Sequence, residues 1–341
     1  MKLALIGFGT VGQGLAELLR DRASSLHQEY GFAATLTAVA TRRRGTLCHP
    51  DGLDPAALLT AIGRGSLDHY PNAPGLARGL DVPGVISASG ADVLVEASPT
   101  DLITGQPALD YCRAAFDAGL HVVLANKGPI ALAYDELRAR ATRGGRRLGF
   151  EATVMAGTPV LALALDALAG CRVLAARGIL NGTTNYILTQ MEAGLPYAEA
   201  LAQAQALGYA EADPSADVDG WDAAGKALIL ARVVFGGAFA LADMRVQGIA
   251  SLTPADIAAA RAAGERWKLV AEVTPDGGSV GPLRLPLTDQ LANVAGTANA
   301  VTYTTDLLGA VTLTGPGAGR LQTAFGLLAD LLAIHKNSRK S

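Results

Sequence analysis

Apolar and polar residues alternate along the first half of the chain in blocks that predict strands followed by helices. The apolar run at residues 3–6 precedes a glycine cluster, after which Leu15, Leu18 and Leu19 recur at helical spacing. The same unit then repeats, with predicted strands at 35–40, 92–96 and 121–125 and predicted helices at 107–118 and 134–143. Strands that alternate with helices indicate an α/β fold with a doubly wound parallel sheet.

The pattern changes after the polar break at residues 144–147, where the strands become longer and are separated by turns. This second half is predicted to be α+β, with strands at 171–180, 267–274, 280–285, 298–305 and 308–314 and helices at 184–192, 197–207, 221–235 and 254–264. A second glycine cluster, at 315–319, precedes a last helical pattern at 322–334. The predicted domains are therefore residues 1–145, with 315–341 returning to them, and residues 146–314.

The amino-acid composition excludes several classes of protein. Of the 341 residues 50% are hydrophobic, which is enough to bury two cores and excludes a disordered chain. With a net charge of −3, the protein has no excess positive charge to attract nucleic acid or an acidic membrane surface. No apolar run approaches the ~20 residues of a membrane span. Three widely spaced cysteines suit neither a disulfide framework nor a zinc site, so we expect a protein of the reducing cytoplasm. Because the net charge favours neither nucleic acid nor membrane, the expected partner is a small molecule.

The first glycine cluster has the spacing of a dinucleotide site. Gly7-Phe8-Gly9-Thr10-Val11-Gly12 matches G-x-G-x-x-G and lies between a predicted strand and a predicted helix, the context in which the motif is informative. Gly7 permits the tight turn, Gly9 leaves room for a pyrophosphate, and Gly12 lets the helix approach the strand. Backbone amides and the helix dipole then face the anion. The alternative is a glycine-rich turn without a ligand.

The end of the second strand predicts which dinucleotide is bound. NAD sites usually have Asp or Glu there to bind the ribose hydroxyl, but this chain has Thr41-Arg42-Arg43-Arg44. Guanidinium groups bind a 2′-phosphate well, so NADP is predicted in preference to NAD, with Arg42 and Arg43 as ligands. A solvated, positively charged turn is the alternative.

Two lysines lie where a ligand would bind. Lys127 follows the predicted strand at 121–125, at the carboxyl edge of a parallel sheet where ligands bind, although a surface lysine in a turn is the alternative. Lys226 follows Asp222 by four residues on a helix that is otherwise apolar nearly all round, so these charges must pair with each other or with a ligand. A purely structural ion pair is the alternative.

Five acidic residues precede Lys226 in one stretch, at positions 211, 213, 217, 219 and 222. Their spacing is not that of a calcium-binding EF-hand loop. A cationic amine on the substrate explains them better.

This stretch carries a specific resemblance. The pattern Ala204-x3-Gly208-Tyr209-Ala210-x2-Asp213-Pro214-x2-Asp217-Val218-x-Gly220-x-Asp222-x3-Lys226 resembles the signature of homoserine dehydrogenases. Further matches fall in family order along essentially the whole chain: the first glycine cluster, Asn126-Lys127, Glu151-Ala152-Thr153-Val154, residues 178–187 and residues 315–319.

The resemblance implies NAD(P)-linked interconversion of L-homoserine and L-aspartate 4-semialdehyde, on the route to threonine and methionine. It implies a dinucleotide domain at 1–145 and a substrate and dimerisation domain at 146–314. Lys226 would be the acid or base and Lys127 would lie between cofactor and substrate, with the choice of proton-transferring lysine left open. The implied substrate residues are Glu211, Asp217, Asp222, Gly178, Asn181 and Thr183, and the implied further cofactor contacts are Ser98 and Gly319.

Three further expectations follow from the resemblance. Glu151 with the carbonyls of Val154, Ala156 and Thr158 resembles a structural sodium site, although Met155 stands where glycine is common and a carboxylate bonded to backbone amides fits equally well. The strands between 267 and 314 are expected to form a homodimer. The chain stops about one helix after residues 315–319, so we expect the regulatory domain of many relatives to be absent and threonine to have little effect.

Two other functions stay open at this point. One is a related dehydrogenase that acts on another amino-acid semialdehyde. The other is a catalytically silent dinucleotide-binding sensor.

Overall fold

The computed structural model describes residues 1–338. These divide into two compact units, one formed by Met1–Gly157 with the described residues from Gly319 onward, the other by Thr158–Ala318. None of the described helices is long and apolar enough to cross a membrane.

Each predicted helix and strand has a counterpart in the structure, which also contains short helices and strands that were not predicted. The strands are β1 (Lys2–Ile6), β2 (Thr35–Ala40), β3 (Thr46–Cys48), β4 (Ala77–Arg78), β5 (Val93–Glu96), β6 (His121–Leu124), β7 (Leu148–Gly149), β8 (Val173–Ile179), β9 (Arg245–Val246), β10 (Glu265–Thr274), β11 (Gly277–Pro286), β12 (Ala298–Thr305) and β13 (Gly309–Pro316). The helices are α1 (Thr10–Asp21), α2 (Ala23–Tyr30), α3 (Pro55–Gly63), α4 (Val82–Ala88), α5 (Ala108–Asp117), α6 (Lys127–Arg143), α7 (Val160–Ala162), α8 (Gly182–Glu192), α9 (Tyr197–Ala206), α10 (Ser215–Val218), α11 (Trp221–Phe235), α12 (Pro254–Ala262) and α13 (Arg320–Ser338).

The first unit is built on a seven-stranded sheet in the order β4-β3-β2-β1-β5-β6-β7. The five strands from β2 to β7 in this order pair in parallel, which confirms the predicted doubly wound sheet. β3 and β4 extend it as antiparallel edge strands that the sequence pattern did not predict. All four residues of β5 are buried, as expected for a central parallel strand.

Helix α13 completes the core of this unit. Its Leu327 and Leu331 are buried in one apolar cluster with Leu3 and Leu5 of β1. At the start of the helix, the Arg320 guanidinium donates two hydrogen bonds to the Glu17 carboxylate of α1. The last glycine cluster therefore leads into a helix that packs beside α1.

The second unit is built on a mixed six-stranded sheet in the order β13-β12-β8-β10-β11-β9. Neighbouring strands are antiparallel except for β11 and β9. Helix α11 packs on β8, β10 and β11 and is buried from Ala223 to Ala231, which confirms the expectation of an apolar, buried helix. The predicted α+β class of this half is also confirmed.

Candidate functional site

The glycine cluster forms a cradle at the start of α1. Gly7 has φ of 95°, a conformation that favours glycine, and a Cβ there would overlap the backbone of Ala97 and Ser98. A Cβ at Gly12 would overlap the carbonyl of Gly7, whereas a Cβ at Gly9 would meet no atom within 4 Å. No side chain caps the start of α1 at Gly9, and uncapped amides at a helix N-terminus are the groups that bind a pyrophosphate.

Two side chains fix the carbonyl of Phe8 in this loop. Gln13 Nε2 donates to it at 3.1 Å and Arg44 Nη2 at 3.0 Å. Phe8 itself is buried, while Thr10 is exposed and Val11 is half-buried at the start of α1. Two side-chain hydrogen bonds therefore fix the backbone of the loop at Phe8, and the space beside Gly9 is open.

The arginines after β2 divide into two kinds. Arg42 and Arg43 are exposed in the turn that follows the strand. Arg44 is half-buried and contacts the glycine loop through Phe8, a role that the sequence pattern did not distinguish. Only the first two guanidinium groups are exposed as a 2′-phosphate would require.

Ser98 and Lys127 lie at the carboxyl edge of the parallel sheet. Asn126 Nδ2 donates to the Ser98 carbonyl at 3.2 Å and to the Pro99 carbonyl at 3.1 Å. Asn126 Oδ1 accepts from Gly128 N and so caps α6. Lys127 is thus the first residue of a helix, not a turn residue, and its N–H donates to Thr100 Oγ1 at 3.3 Å.

Gly319 is the last residue before α13 and has φ of 133°, within the range that favours glycine. A Cβ there would overlap the side chain of Gln322. The structure therefore explains this glycine by backbone conformation and close packing.

In the second unit, Lys226 and Asp222 form a hydrogen-bonded ion pair on α11. Lys226 is 8% exposed. Its Nζ donates to Asp222 Oδ2 at 2.8 Å and to the Leu180 carbonyl, at the end of β8, at 2.7 Å. The helix and the sheet together fix the position of the ammonium group.

Asn181 joins this pair to a second carboxylate. Its Nδ2 donates to Asp217 Oδ1 at 2.6 Å and to Asp222 Oδ2 at 3.0 Å, while its Oδ1 accepts from Thr184 N and caps α8. Burial raises the pKa of Asp217, the hydrogen bond from Asn181 lowers it, and the charge of Asp222 raises it. The cluster therefore brings two carboxylates to one amide group, and carboxylates are the groups that bind a cation.

The other implied substrate residues differ in their placement. Thr183, in the first turn of α8, donates to the Tyr209 carbonyl at 2.6 Å. Gly178 is buried within β8, and a Cβ there would lie 2.7 Å from the Ala300 carbonyl, so close strand packing accounts for it. Glu211 lies in an exposed segment before α10, and its carbonyl accepts from Gln205 Nε2.

The segment that resembles a sodium site has an unusual backbone. Glu151 is buried and donates its N–H to Asp330 Oδ2 at 2.9 Å. Met155 and Ala156 have φ of 55° and 56°, which favours glycine and gives a physical reason why glycine is common at the first position. The structure describes no group of three or more His, Cys, Asp or Glu residues that could hold a metal ion within 1–338. Thr158 begins the second unit, where its hydroxyl donates to the Pro316 carbonyl.

The sequence named Asn181 as a substrate residue but did not predict that it connects Asp217 to Asp222. The bridging amide of Asn181 lies 41 positions from Asp222, so no spacing rule could pair them. Arg44 and Asn126 were given no role, although Asn126 three residues before Pro129 is a recognisable helix-start signal.

Both units match family models over most of their length. Residues 7–151 match the model described as homoserine dehydrogenase, NAD binding domain, and residues 159–332 match the one described as homoserine dehydrogenase. The NAD(+)-dependent homoserine dehydrogenase of Pseudomonas canavaninivorans is 44% identical over 99% of this chain and 97% of that protein. The homoserine dehydrogenase of Methanocaldococcus jannaschii is 39% identical, with 100% of both chains covered.

Solved structures of the same family are also similar. A homoserine dehydrogenase from Thiobacillus denitrificans has a TM-score of 0.83 and 31% identity, covering 100% of this chain and 74% of that one. A hyperthermophilic archaeal homoserine dehydrogenase in complex with NADPH has a TM-score of 0.83 and 31% identity, covering 98% of each chain.

Proposed function

This chain belongs to the homoserine dehydrogenase family and interconverts L-homoserine and L-aspartate 4-semialdehyde with a nicotinamide dinucleotide, and we propose that Lys226 is its general acid and base. The observation that carries this proposal is the network of Lys226, Asp222, Asn181 and Asp217. In this network the Lys226 ammonium group bonds to Asp222, and the Asn181 amide group bonds to both Asp222 and Asp217. An amino-acid substrate needs this combination.

The carboxylates bind the substrate's ammonium group in this proposal. Asp217 and Asp222 lie beside each other at the Asn181 amide, and carboxylates at this spacing attract the ammonium group of an amino acid. Glu211, exposed in the neighbouring segment, is the third proposed carboxylate. Thr183 and Asn181 at the start of α8 are proposed to contact the polar groups of the same substrate.

Lys226 transfers the proton at the reacting oxygen. An ammonium group has three N–H donors, and within the described residues two of them bond to Leu180 and Asp222. The third can donate to the oxygen that becomes the alcohol during reduction and recover the proton during oxidation. Lys127, at the start of α6, is proposed as the second cation of the reaction.

The glycine loop fits the dinucleotide. The open space above Gly9 and the uncapped amides of α1 suit a pyrophosphate, and Ser98 and Gly319 are proposed as further contacts. When bound, the nicotinamide supplies or accepts the hydride. The residues of the loop orient and retain the group that carries it.

We propose that NADP is preferred and that NAD is also accepted. Support comes from the exposed Arg42 and Arg43 after β2, where no carboxylate follows the strand to bind a ribose hydroxyl. One similar protein is described as NAD(+)-dependent and another was solved with NADPH, so the family includes both. The tightly held Arg44 belongs to the loop and is not assigned to the phosphate.

A homodimer through the six-stranded sheet is also proposed. Arg177, Thr302 and Thr312 lie in register across β8, β12 and β13 and are half-buried. On the same face, Thr304 and Thr314 are exposed. The alternate residues Ala176, Val301 and Tyr303 are buried. A broad sheet face of small and polar residues suits a second copy of the same surface.

Two smaller proposals concern the sodium ion and the compartment. The carboxylate of Glu151 and the carbonyls of Val154 and Ala156 would bind sodium, with Thr158 contributing from the next segment. A melting temperature that is higher in sodium chloride than in potassium chloride would support this, and equal values would contradict it.

The free thiols of Cys48, Cys112 and Cys171 favour the reducing cytoplasm, which cell fractionation would test.

A substrate comparison tests the proposed function as a whole. Oxidation of reduced cofactor is followed with L-aspartate 4-semialdehyde and, in parallel, with a semialdehyde one methylene longer and with an aldehyde that lacks the amino group. We expect the first to be preferred by at least about tenfold over the longer one and the last to fail, because the carboxylates then have no cation to bind. Equal rates with the deaminated aldehyde would contradict the proposed role of the carboxylates.

A further inference from the structure

Glu96 is a buried carboxyl group at the carboxyl end of β5, and the proposed reaction does not use it. The residue is 0% exposed and pairs with Ile6 of β1 and Leu124 of β6. In the sheet, β2 lies on one side of the adjacent strands β1 and β5, and β6 lies on the other, so the chain changes direction between β1 and β5. Glu96 lies at this switch point, where open parallel sheets bind ligands.

The carboxyl group holds the segment that contains Ser98. Its Oε1 accepts the Ser98 N–H at 3.1 Å, whereas its Oε2 is buried with no hydrogen-bond partner in the described part of the chain. Ser98 in turn accepts from Asn126, which caps the helix that begins with Lys127. A change in the position of the Glu96 carboxyl group would therefore also displace Ser98 and, through Asn126, the start of α6.

The glycine loop rests on the same segment. A Cβ at Gly7 would overlap the backbone of Ala97 and Ser98, so the turn at Gly7 and the segment held by Glu96 are in direct contact. Any displacement of the Ser98 amide would shift the loop that is proposed to bind the pyrophosphate. Glu96 is thus connected to both sides of the proposed cofactor site.

The charge state of Glu96 is decided by burial. Burial raises its pKa from 4.5 to about 7, against the lowering effect of the polar groups of Ser98 and Asn126. The ionisable groups that its charge affects, Tyr111 and Cys112 of α5, are acids, and burial together with Glu96 raises the pKa of each. Farther out, Arg42 lowers and Asp81 raises the pKa of Tyr111.

We propose that Glu96 is a positioning residue of the cofactor site and that it performs this role with its carboxyl group protonated. The protonated group accepts the Ser98 N–H through one oxygen and remains neutral beneath an anionic ligand. Ionisation would place a buried negative charge beneath the pyrophosphate and weaken dinucleotide binding. This inference rests on the proposed placement of the dinucleotide at the glycine loop.

The test measures the affinity for NADH from about pH 6 to about pH 8.5, by the fluorescence of the bound nicotinamide. NADH is chosen because it lacks the 2′-phosphate, which itself titrates at a pKa of about 6. We expect the wild-type affinity for NADH to fall about tenfold over this range. This corresponds to a Glu96 pKa about one unit higher in the NADH complex than in the free protein. The variant Glu96→Gln cannot ionise, so its affinity should stay at the low-pH level throughout. The control Glu29→Gln, on the exposed surface of α2, should follow the wild type.

A flat wild-type profile, or a slope in Glu96→Gln equal to that of the wild type, would overturn the proposal. A second measurement needs no variant: calorimetry of NADH binding to the wild type near pH 7.5, in two buffers that differ in ionisation enthalpy, should show net proton uptake. Zero proton uptake would overturn the role of Glu96. Failure of the wild type to bind NADH and NADPH at every pH would overturn the cofactor placement as well, so the two failures are distinguishable.

Discussion

The ammonium group of Lys226 donates a hydrogen bond to the carboxylate of Asp222, one turn earlier on α11, with 2.8 Å between Nζ and Oδ2. The two side chains are 10% and 20% exposed. Removing both charges from water costs about as much as their attraction returns, so the pair contributes little to the stability of the fold. Its placement beside Asn181 and Asp217 is better explained by substrate binding and proton transfer.

We expect Lys226→Met to lower kcat by at least about a hundredfold, the low end of general acid–base catalysis. The dissociation constant of the cofactor should change by less than about threefold, because the glycine loop belongs to the other unit. Steady-state kinetics and cofactor fluorescence measure the two quantities. Lys268→Met is the matched control, since Lys268 is a fully buried lysine of the same unit that donates to the Val294 carbonyl. A normal kcat in Lys226→Met, or an equal loss in the control, would contradict the assignment.

The pH dependence of kcat/KM should report Asp217. Its pKa is raised by burial, so the carboxylate binds the substrate's ammonium group above that pKa and loses this ability as the pH falls through it. Asn181→Ala removes a hydrogen bond that lowers the pKa, and the decline should then begin at a higher pH. Asp217→Asn should have a lower kcat/KM without this acid limb. An unchanged acid limb in both variants would show that another group titrates.

The sequence predicts most of the fold because hydrophobic periodicity dominates its elements. β2 and α11 have the predicted bounds, Thr35–Ala40 and Trp221–Phe235. The prediction that the helix after β6 starts at residue 134 was wrong, since α6 begins at Lys127. Pro129 lies in the first turn of α6, where proline is tolerated because its missing N–H would have no intrahelical partner.

Two missed helices had local signals that the apolar pattern hid. α3 and α4 are short and each has proline in its first turn, so no amphipathic period develops. Asp54 and Asp81 nevertheless cap them by accepting from Ala57 N and Gly84 N. Within the site, the i and i+4 spacing predicted that Asp222 and Lys226 are neighbours. Contacts across the chain, such as that between Asn181 and Asp217, depend on the turn after β8 and have no sequence period.

Cofactor preference should respond to the exposed arginines. Each charge-assisted hydrogen bond to a phosphate is worth ~1.5–3 kcal/mol, so the double variant Arg42→Ser with Arg43→Ser should weaken NADPH binding by more than about tenfold. NADH affinity should change by less than about twofold. Arg64→Ser, at the exposed end of α3, is the control for net charge. Arg44→Ser should instead weaken both cofactors, because Arg44 holds the Phe8 carbonyl of the glycine loop. Equal losses for both cofactors in the double variant would contradict the phosphate role.

The proposed dimer can be tested on the half-buried face of the six-stranded sheet. Thr302 lies at its centre, in register with Arg177 on one side and Thr312 on the other, and its hydroxyl shares a 2.8 Å hydrogen bond with that of Thr312. We expect Thr302→Arg to place a long charged side chain at the centre of this face, where an interface would remove it from water. A symmetric interface would contain two such side chains. Light scattering should give a dimer for the wild type and a monomer for the variant, while Thr60→Arg, on the exposed surface of α3, should remain a dimer. A wild-type monomer, or a Thr302→Arg dimer of unchanged stability, would contradict assembly through this face.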